Sequence, residues 1–240
     1  MGTKAIDPRS IRNVTLIGNP EATARLTHRL LRAHGTSDSP ATIRWATDRI
    51  EHTIRVTELA AHAPMATLER SIRVADGLIA VTDAADNPRL QTMLRIADDH
   101  QVARLCLIHG LDHPTADFDR CLHTLAETRG ATPIPLQTPG SDNVIDLIAM
   151  ADLIPLAAET YGGPWKLAED RYRTLAKTLA PYPSSRWHQR IRHLTRIGDI
   201  VPVLCGPTGS GNDTTTLLDA IIRYLPSPLD VCQPEHALDY

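Results

Sequence analysis

Short apolar runs alternate with segments of helical periodicity along most of the chain. Runs of four to eight apolar residues are typical of buried strands, and a 3.6-residue apolar period is typical of helices. The apolar runs predict strands at Asn13–Gly18, His52–Thr57, Gly77–Thr82, Arg104–His109, Thr132–Leu136 and Ile200–Cys205. The periodic segments predict helices at Glu21–His34, Met65–Ala75, Pro88–His100, Ala116–Thr128, Trp165–Leu179, Ser185–Ile197 and Thr214–Leu225.

Alternation of strands and helices indicates an α/β fold with three layers, a mostly parallel sheet between two layers of helices. Ligands of such folds bind at the carboxyl ends of the strands. The loops at that edge are predicted to be Gly18–Ala24, Glu58–Ala63, Asp83–Pro88, His109–Thr115 and Gly206–Asp213.

One segment departs from this alternation. Between Pro155 and Gly198 two helical patterns flank Pro181-Tyr182-Pro183, and the segment contains no strand pattern. We interpret residues 155–198 as a helical insertion, residues 1–154 and 199–231 as the α/β core, and residues 232–240 as a tail.

Basic residues are concentrated in the second half of that insertion. Residues 171–198 contain no Asp or Glu. The cations are Arg171, Arg173, Lys177, Arg186, Arg190, Arg192 and Arg196. Such a stripe is either a solvated helix face or a surface that contacts RNA or an acidic protein.

Composition narrows the class of protein. Aromatic residues make up 4% of the 240 residues, with Phe118 the single phenylalanine, so Leu, Ile, Val and Ala must form the core. A net charge of −3 points to neither DNA nor a membrane surface. Cys106 and Cys205 lie in apolar runs and are predicted to be small core residues. Because no stretch approaches 18 apolar residues, we expect a cytoplasmic protein.

A glycine-rich loop, Gly206 to Gly211, connects the last predicted strand to the last predicted helix. This order of elements is that of the phosphate-binding GxxxxGK[ST] motif. Here Asn212 occupies the lysine position, and Asp213 occupies the Ser/Thr position, where its charge would repel a phosphate. The alternatives are an ordinary turn and an anion site formed by backbone amides alone.

Read in order, these segments resemble the G domain of a translational GTPase, and that of elongation factor G most closely. The resemblance is collinear from Ile11 to Val231. The matching blocks are RNV at 12–14, THRLL at 27–31, ATIRW at 41–45, ERSIRV at 69–74, ADF at 116–118, VIDLI at 144–148, VPVLCG at 201–206, LLDA at 217–220 and YLPSPLDV at 224–231. The resemblance implies a P-loop NTPase-like fold. In the family, further domains follow the last block.

The resemblance also implies a ligand, GTP or GDP with Mg²⁺, and assigns contacts to it. The positions carried over from the family's nucleotide motifs are Gly18, Asn19, Glu21, Arg25, Glu58, Asp112, Gly206 and Thr208. His62 falls at the position of the family's catalytic histidine. Two of these residues also have simpler interpretations, His62 as an ordinary loop histidine and Asp112 as a cap or turn residue before Pro114.

Residues that the chemistry needs are replaced in this sequence. The phosphate loop falls on residues 18–26, which contain no lysine and only one glycine, so both the charge and the tight turn of a phosphate cradle are missing. Switch I has no counterpart, because only six residues separate Trp45 from His52. Pro207 replaces a residue whose backbone amide would support guanine, and proline has no amide hydrogen.

We therefore predict an elongation factor G-like G-domain protein with degraded GTP-binding motifs and a non-catalytic binding role in translation. Its predicted partner is the ribosome, a ribosomal protein or a translation factor, with RNA contact through the seven cations. One alternative is a GTP-binding protein with residual GTPase activity. The other is a relic of an elongation factor without a function.

Overall fold

The computed structural model describes residues 7–37, 39–59, 63–82, 88–111, 116–128, 132–140, 144–152, 162–206 and 212–231. The strands are β1 Ile11–Gly18, β2 Thr42–Thr47, β3 Ile50–Glu58, β4 Gly77–Thr82, β5 Ala103–Ile108, β6 Thr132–Pro135, β7 Gln137–Pro139, β8 Val144–Asp146 and β9 Ile200–Cys205. The helices are α1 Pro20–His34, α2 Met65–Arg73, α3 Pro88–Asp99, α4 Phe118–Glu127, α5 Gly162–Leu179, α6 Trp187–Arg196, α7 Asn212–Tyr224 and α8 Pro228–Val231.

Seven strands form one sheet in the order β2-β3-β1-β4-β5-β9-β6. Every neighbouring pair is parallel except β2 and β3. This mostly parallel sheet between helical layers confirms the predicted P-loop NTPase-like fold. Among the described residues, no helix combines the length and hydropathy needed to cross a lipid bilayer.

Two apolar clusters fill the spaces between the sheet and its two layers of helices. Strand β4 shows the alternation, since Ile79 and Val81 join one cluster while Leu78 and Ala80 join the other. Helices α1, α5, α6 and α7 cover the first face, and α2, α3 and α4 cover the second. Cys106 and Cys205 are buried as predicted, and burial raises the pKa of both thiols.

The predicted elements were found within three residues of their expected ends. The sequence interpretation missed β2, because an edge strand exposes Arg44 and Ala46 and so lacks a continuous apolar run. It also missed the three-residue strands β7 and β8. Strand β6 contains Pro133 and Pro135, which an edge strand tolerates because one side needs no partner.

The two helices expected in the insertion, α5 and α6, are present. Trp187, Ile191 and Leu194 of α6 belong to the same buried cluster as strand β9. The division of the chain at residues 155 and 198 stays a prediction.

A polar network fastens the last helices to the first strand. Arg12 of β1 and Arg192 of α6 both donate to the carbonyl oxygen of Ile222, at 3.0 Å each. Arg192 also donates to Asp230 at 2.7 Å, and Asp230 accepts from the Ser227 amide at 2.8 Å. Burial and the nearby Arg192 lower the pKa of Arg12 to about 10. Residues distant in sequence, from β1, α6, α7 and α8, thus meet in one network.

Candidate functional site

The connection from β1 to α1 lies where a GTPase would carry its phosphate loop. Strand β1 ends at Gly18 and helix α1 begins at Pro20, so Asn19 alone joins them. The Asn19 side-chain oxygen accepts from the amides of Glu21 at 2.9 Å and Ala22 at 3.4 Å. This is an N-cap, and it engages amides that a phosphate would otherwise use. Residues 20–26, which align with the family's phosphate loop, are part of helix α1.

The end of β1 is closely packed. Gly18 has φ +142°, and a Cβ atom there would lie 2.1 Å from the carbonyl oxygen of Val81. The adjacent cavity has a volume of about 10 Å³ and is lined by Leu16, Ile17, Gly18, Pro20, Thr23, Leu59, Leu68, Arg89 and Met93. Ligand pockets generally measure roughly 300–1,000 Å³. The cavity among the described residues at the end of β1 is therefore much smaller than such a pocket.

The predicted nucleotide contacts are spread over this edge. Glu21 and Arg25 form an exposed ion pair at 3.7 Å on the surface of α1. Glu58 is the exposed last residue of β3. The Gly206 amide donates to the carbonyl oxygen of Ile108 at 2.7 Å, which holds the end of β9 beside β5. His62, Asp112 and Thr208 lie outside the described residues, so the assignment of nucleotide contacts stays a prediction.

A two-residue turn stands where switch I would be. Strands β2 and β3 pair antiparallel with Thr47 opposite Ile50. The residues between them, Asp48 and Arg49, have φ of 53° and 66°. Positive φ at both positions is the geometry of a type I′ turn, the turn that best matches the twist of paired strands. The chain between β2 and β3 therefore has no length available for a segment that closes over a nucleotide.

Four of the seven predicted partner-binding cations contact carboxylates from outside the basic stretch. Arg171 is buried, bonds Asp119 and Thr138, and stacks over the Phe118 ring at 4.7 Å. The other pairs are Arg173 with Glu169 at 2.6 Å, Arg192 with Asp230 at 2.7 Å and Arg196 with Asp230 at 3.8 Å.

The remaining cations of the stretch are less constrained. Lys177 and Arg186 are exposed, with no ion pair to another described residue. Arg190 lies over the Tyr182 ring at 5.1 Å, and that ring is itself exposed. A guanidinium stacked on an exposed aromatic ring, and two further exposed cations in the same stretch of sequence, are compatible with an anionic partner.

Asp119 and Asp230 are the residues that the sequence interpretation missed. Each is distant in sequence from the arginine it contacts, so no local pattern links them. A signal was nevertheless present, because Asp119 directly follows the ADF block and Asp230 belongs to the YLPSPLDV block. The YLPSPLDV block of the family resemblance thus includes a residue that holds α8 to α6.

Comparison with known proteins relates the chain to translation factors. The family described as elongation factor Tu GTP binding domain matches residues 65–227. Elongation factor G of Fervidobacterium nodosum is 30% identical over 280 residues, covering 94% of this chain and 40% of that protein. A crystal structure of a protein from Thermus thermophilus matches with a TM-score of 0.73 at 15% identity, over 92% of this chain and 41% of that one. The chain spans about 40% of the length of these relatives.

Proposed function

The chain belongs to the elongation factor Tu GTP-binding domain family, and we propose that it is an elongation factor G-like member that does not hydrolyse GTP. In this proposal its nucleotide motifs are degraded, and it acts in the cytoplasm as a binding protein in translation. Its partner is the ribosome, a ribosomal protein or a translation factor.

The observation that carries the proposal is the direct passage from β1 into α1. Phosphate cradles need several free backbone amides in a glycine-rich turn and a cation aimed at the phosphates. Here Asn19 caps the helix, and the described cavity at this point is about 10 Å³. The residue at the lysine position is Ala24, which lies exposed on helix α1.

Two further observations support the loss of turnover. GTP hydrolysis needs a lysine, Mg²⁺ and ordered switch segments acting together. The two-residue turn between β2 and β3 supports the absence of one of these segments. The match to the family begins at residue 65, after the positions of the phosphate loop and both switches.

The link to translation rests on relatives and on the remaining cations. The relative that covers 94% of this chain is an elongation factor G. Lys177, Arg186 and Arg190 provide charge for contact with RNA or with an acidic protein surface. Arg171 is buried and Arg192 belongs to the polar network, so both serve the fold.

A nucleotide titration tests the proposal. A ligand that binds only the folded protein raises its stability by about 2.7 kcal/mol at a hundredfold excess over Kd. We expect no thermal shift with millimolar Mg-GTP, Mg-GDP or Mg-ATP, and no fluorescence change with mantGDP. An intact family G domain measured in parallel serves as the positive control. A micromolar mantGDP affinity would refute the proposal and favour a GTP-binding protein with residual activity.

A further inference from the structure

A polar groove runs along α7, on the face of the sheet that α1 and α6 also cover. Its volume is about 580 Å³, within the range of small-molecule sites. Residues of α7 between Thr215 and Tyr224 line it, together with Leu204 of β9. The β7–β8 hairpin and the turn after it also contribute to the lining, as do Ser184, Ser185 and His188.

We infer that this groove is a binding site for a small organic cation that carries amine or guanidinium groups, held between Asp146 and Asp219. The inference does not depend on the proposed function, because the groove uses none of the predicted nucleotide contacts.

Each of the two carboxylates has one oxygen fixed by the protein and one left over. Asp146 Oδ1 accepts from the amides of Ile148 at 2.8 Å and Ala149 at 3.1 Å. Asp219 Oδ1 accepts from Trp45 Nε1 at 2.8 Å and from the Thr47 hydroxyl. Among the described residues, nothing donates to either Oδ2. The bonds to each Oδ1 hold the whole carboxylate in place. Each Oδ2 is therefore pre-organised to accept a hydrogen bond from a ligand.

Other charges around the groove do not cancel these carboxylates. Arg223 is the one cation among the described lining residues, and it forms an ion pair with Asp48 at 3.6 Å. His188 and Tyr224 share a hydrogen bond of 2.8 Å. Burial and the nearby Arg223 lower the pKa of His188, and burial raises the pKa of Tyr224, so both are neutral at pH 7. The lining therefore carries excess negative charge.

The rest of the lining suits the non-charged parts of such a molecule. Leu136, Ile148, Leu204 and Ala220 offer apolar contact for a methylene chain. Hydroxyls of Ser184 and Ser185 line the groove, and each can accept a hydrogen bond from an N–H group. Charge-assisted bonds from ammonium or guanidinium to carboxylate are about twice as strong as neutral ones. An anionic ligand would instead meet two carboxylates.

Calorimetric titration of the full chain at low salt, with spermidine and agmatine as probes, tests this inference. We expect saturable binding, and about tenfold or greater weakening in the Asp146→Asn/Asp219→Asn double variant, since charge-assisted bonds are lost. Asparagine keeps Oδ1 as an acceptor, so the internal bonds of both residues are retained. Asp99→Asn, on the exposed surface of α3, makes the same kind of charge change and should leave binding unaltered.

A second variant tests the location without touching a carboxylate. Ala149 is exposed and lines the groove, so Ala149→Trp should occupy the space and abolish binding of both probes. Neutral triethylene glycol, of comparable size, should not bind. The inference is wrong if neither cation binds the native chain, if Ala149→Trp binds normally, or if GTP binds in the groove more tightly than spermidine.

Discussion

Gly18 shows how a single residue decides the geometry at the end of β1. Its φ of +142° is outside the range that side chains favour, and the carbonyl of Val81 occupies the place of a Cβ atom. Glycine here lets the backbone of β1 approach β4 closely, and α1 starts after the single residue Asn19.

We predict that Gly18→Ala destabilises the protein by about 3 kcal/mol or more, because backbone strain and a clash with a main-chain oxygen occur together. Urea denaturation measures the loss. Gly110→Ala is the matched control, since Gly110 also has a positive φ of 72° but meets nothing within 4 Å. It should cost only about 1–2 kcal/mol. Equal losses in the two variants would contradict the clash.

Among the elements, the helices at the carboxyl end of the chain are held to the sheet by polar bonds as well as apolar packing. Asp230 in α8 accepts hydrogen bonds from Arg192 of α6 and from the amide and hydroxyl of Ser227. Arg12 in β1 and Arg192 share the Ile222 carbonyl at the end of α7. Removing one member would leave buried donors without an acceptor, which costs more than the bond itself is worth.

Asp230→Asn should reduce the free energy of unfolding at pH 7 by about 1.5–3 kcal/mol, the range for bonds to a charged group. Burial raises the pKa of Asp230, but bonds from Ser227 and Arg192 outweigh it, so the pKa lies below its ordinary 3.8. A carboxylate whose pKa is lower in the folded state stabilises the fold at pH values above its unfolded-state pKa. That stability is lost as the pH falls through the folded-state pKa.

The stability difference between native and Asp230→Asn proteins should therefore stay constant from pH 7 to about pH 4 and shrink at lower pH. Urea denaturation across that pH range measures it. Asp99→Asn, exposed on α3, is the control and should change stability by less than about 0.5 kcal/mol. A difference that grows on acidification would show that the charge of Asp230 is not what stabilises α8.

For the molecule as a whole, the surface charge differs from what the sequence suggests. Residues 171–198 carry seven cations and no acid, yet Asp119, Glu169 and Asp230 pair with four of them. Within this stretch, the cations left for an anionic partner are Lys177, Arg186 and Arg190. Replacing Arg192 or Arg196 would disturb the Asp230 network, so those variants cannot test binding alone.

We predict that Lys177→Glu/Arg186→Glu/Arg190→Glu weakens co-sedimentation with ribosomes. If the contact is with RNA, log K of the native protein should fall linearly with log salt, by about 0.7–0.9 per phosphate contact. The variant should show a smaller slope. Arg32→Glu/Arg55→Glu/Arg73→Glu changes the net charge equally at exposed sites elsewhere and should bind as the native protein does. Equal binding by both variants would leave Lys177, Arg186 and Arg190 as solvated surface.

The sequence by itself determined the order and type of most elements. Periodicity is a local property, so strands such as Gly77–Thr82 and Ile200–Cys205 were predicted with their observed bounds. The family resemblance supplied the P-loop NTPase-like topology. Residues 18–26 contain no lysine, and only six residues separate Trp45 from His52. Both facts can be seen directly in the sequence.

Only the tertiary structure decided what those residues do. Asn19 caps α1 because β1 ends one residue earlier, and Arg171 is buried because Asp119 and Thr138 approach it from other elements. The groove is lined by Asp146 and Asp219, which are 73 positions apart in the sequence. Neither segment alone predicts it. Burial, charge pairing and cavities arise from contacts between distant parts of the chain, which local patterns do not encode.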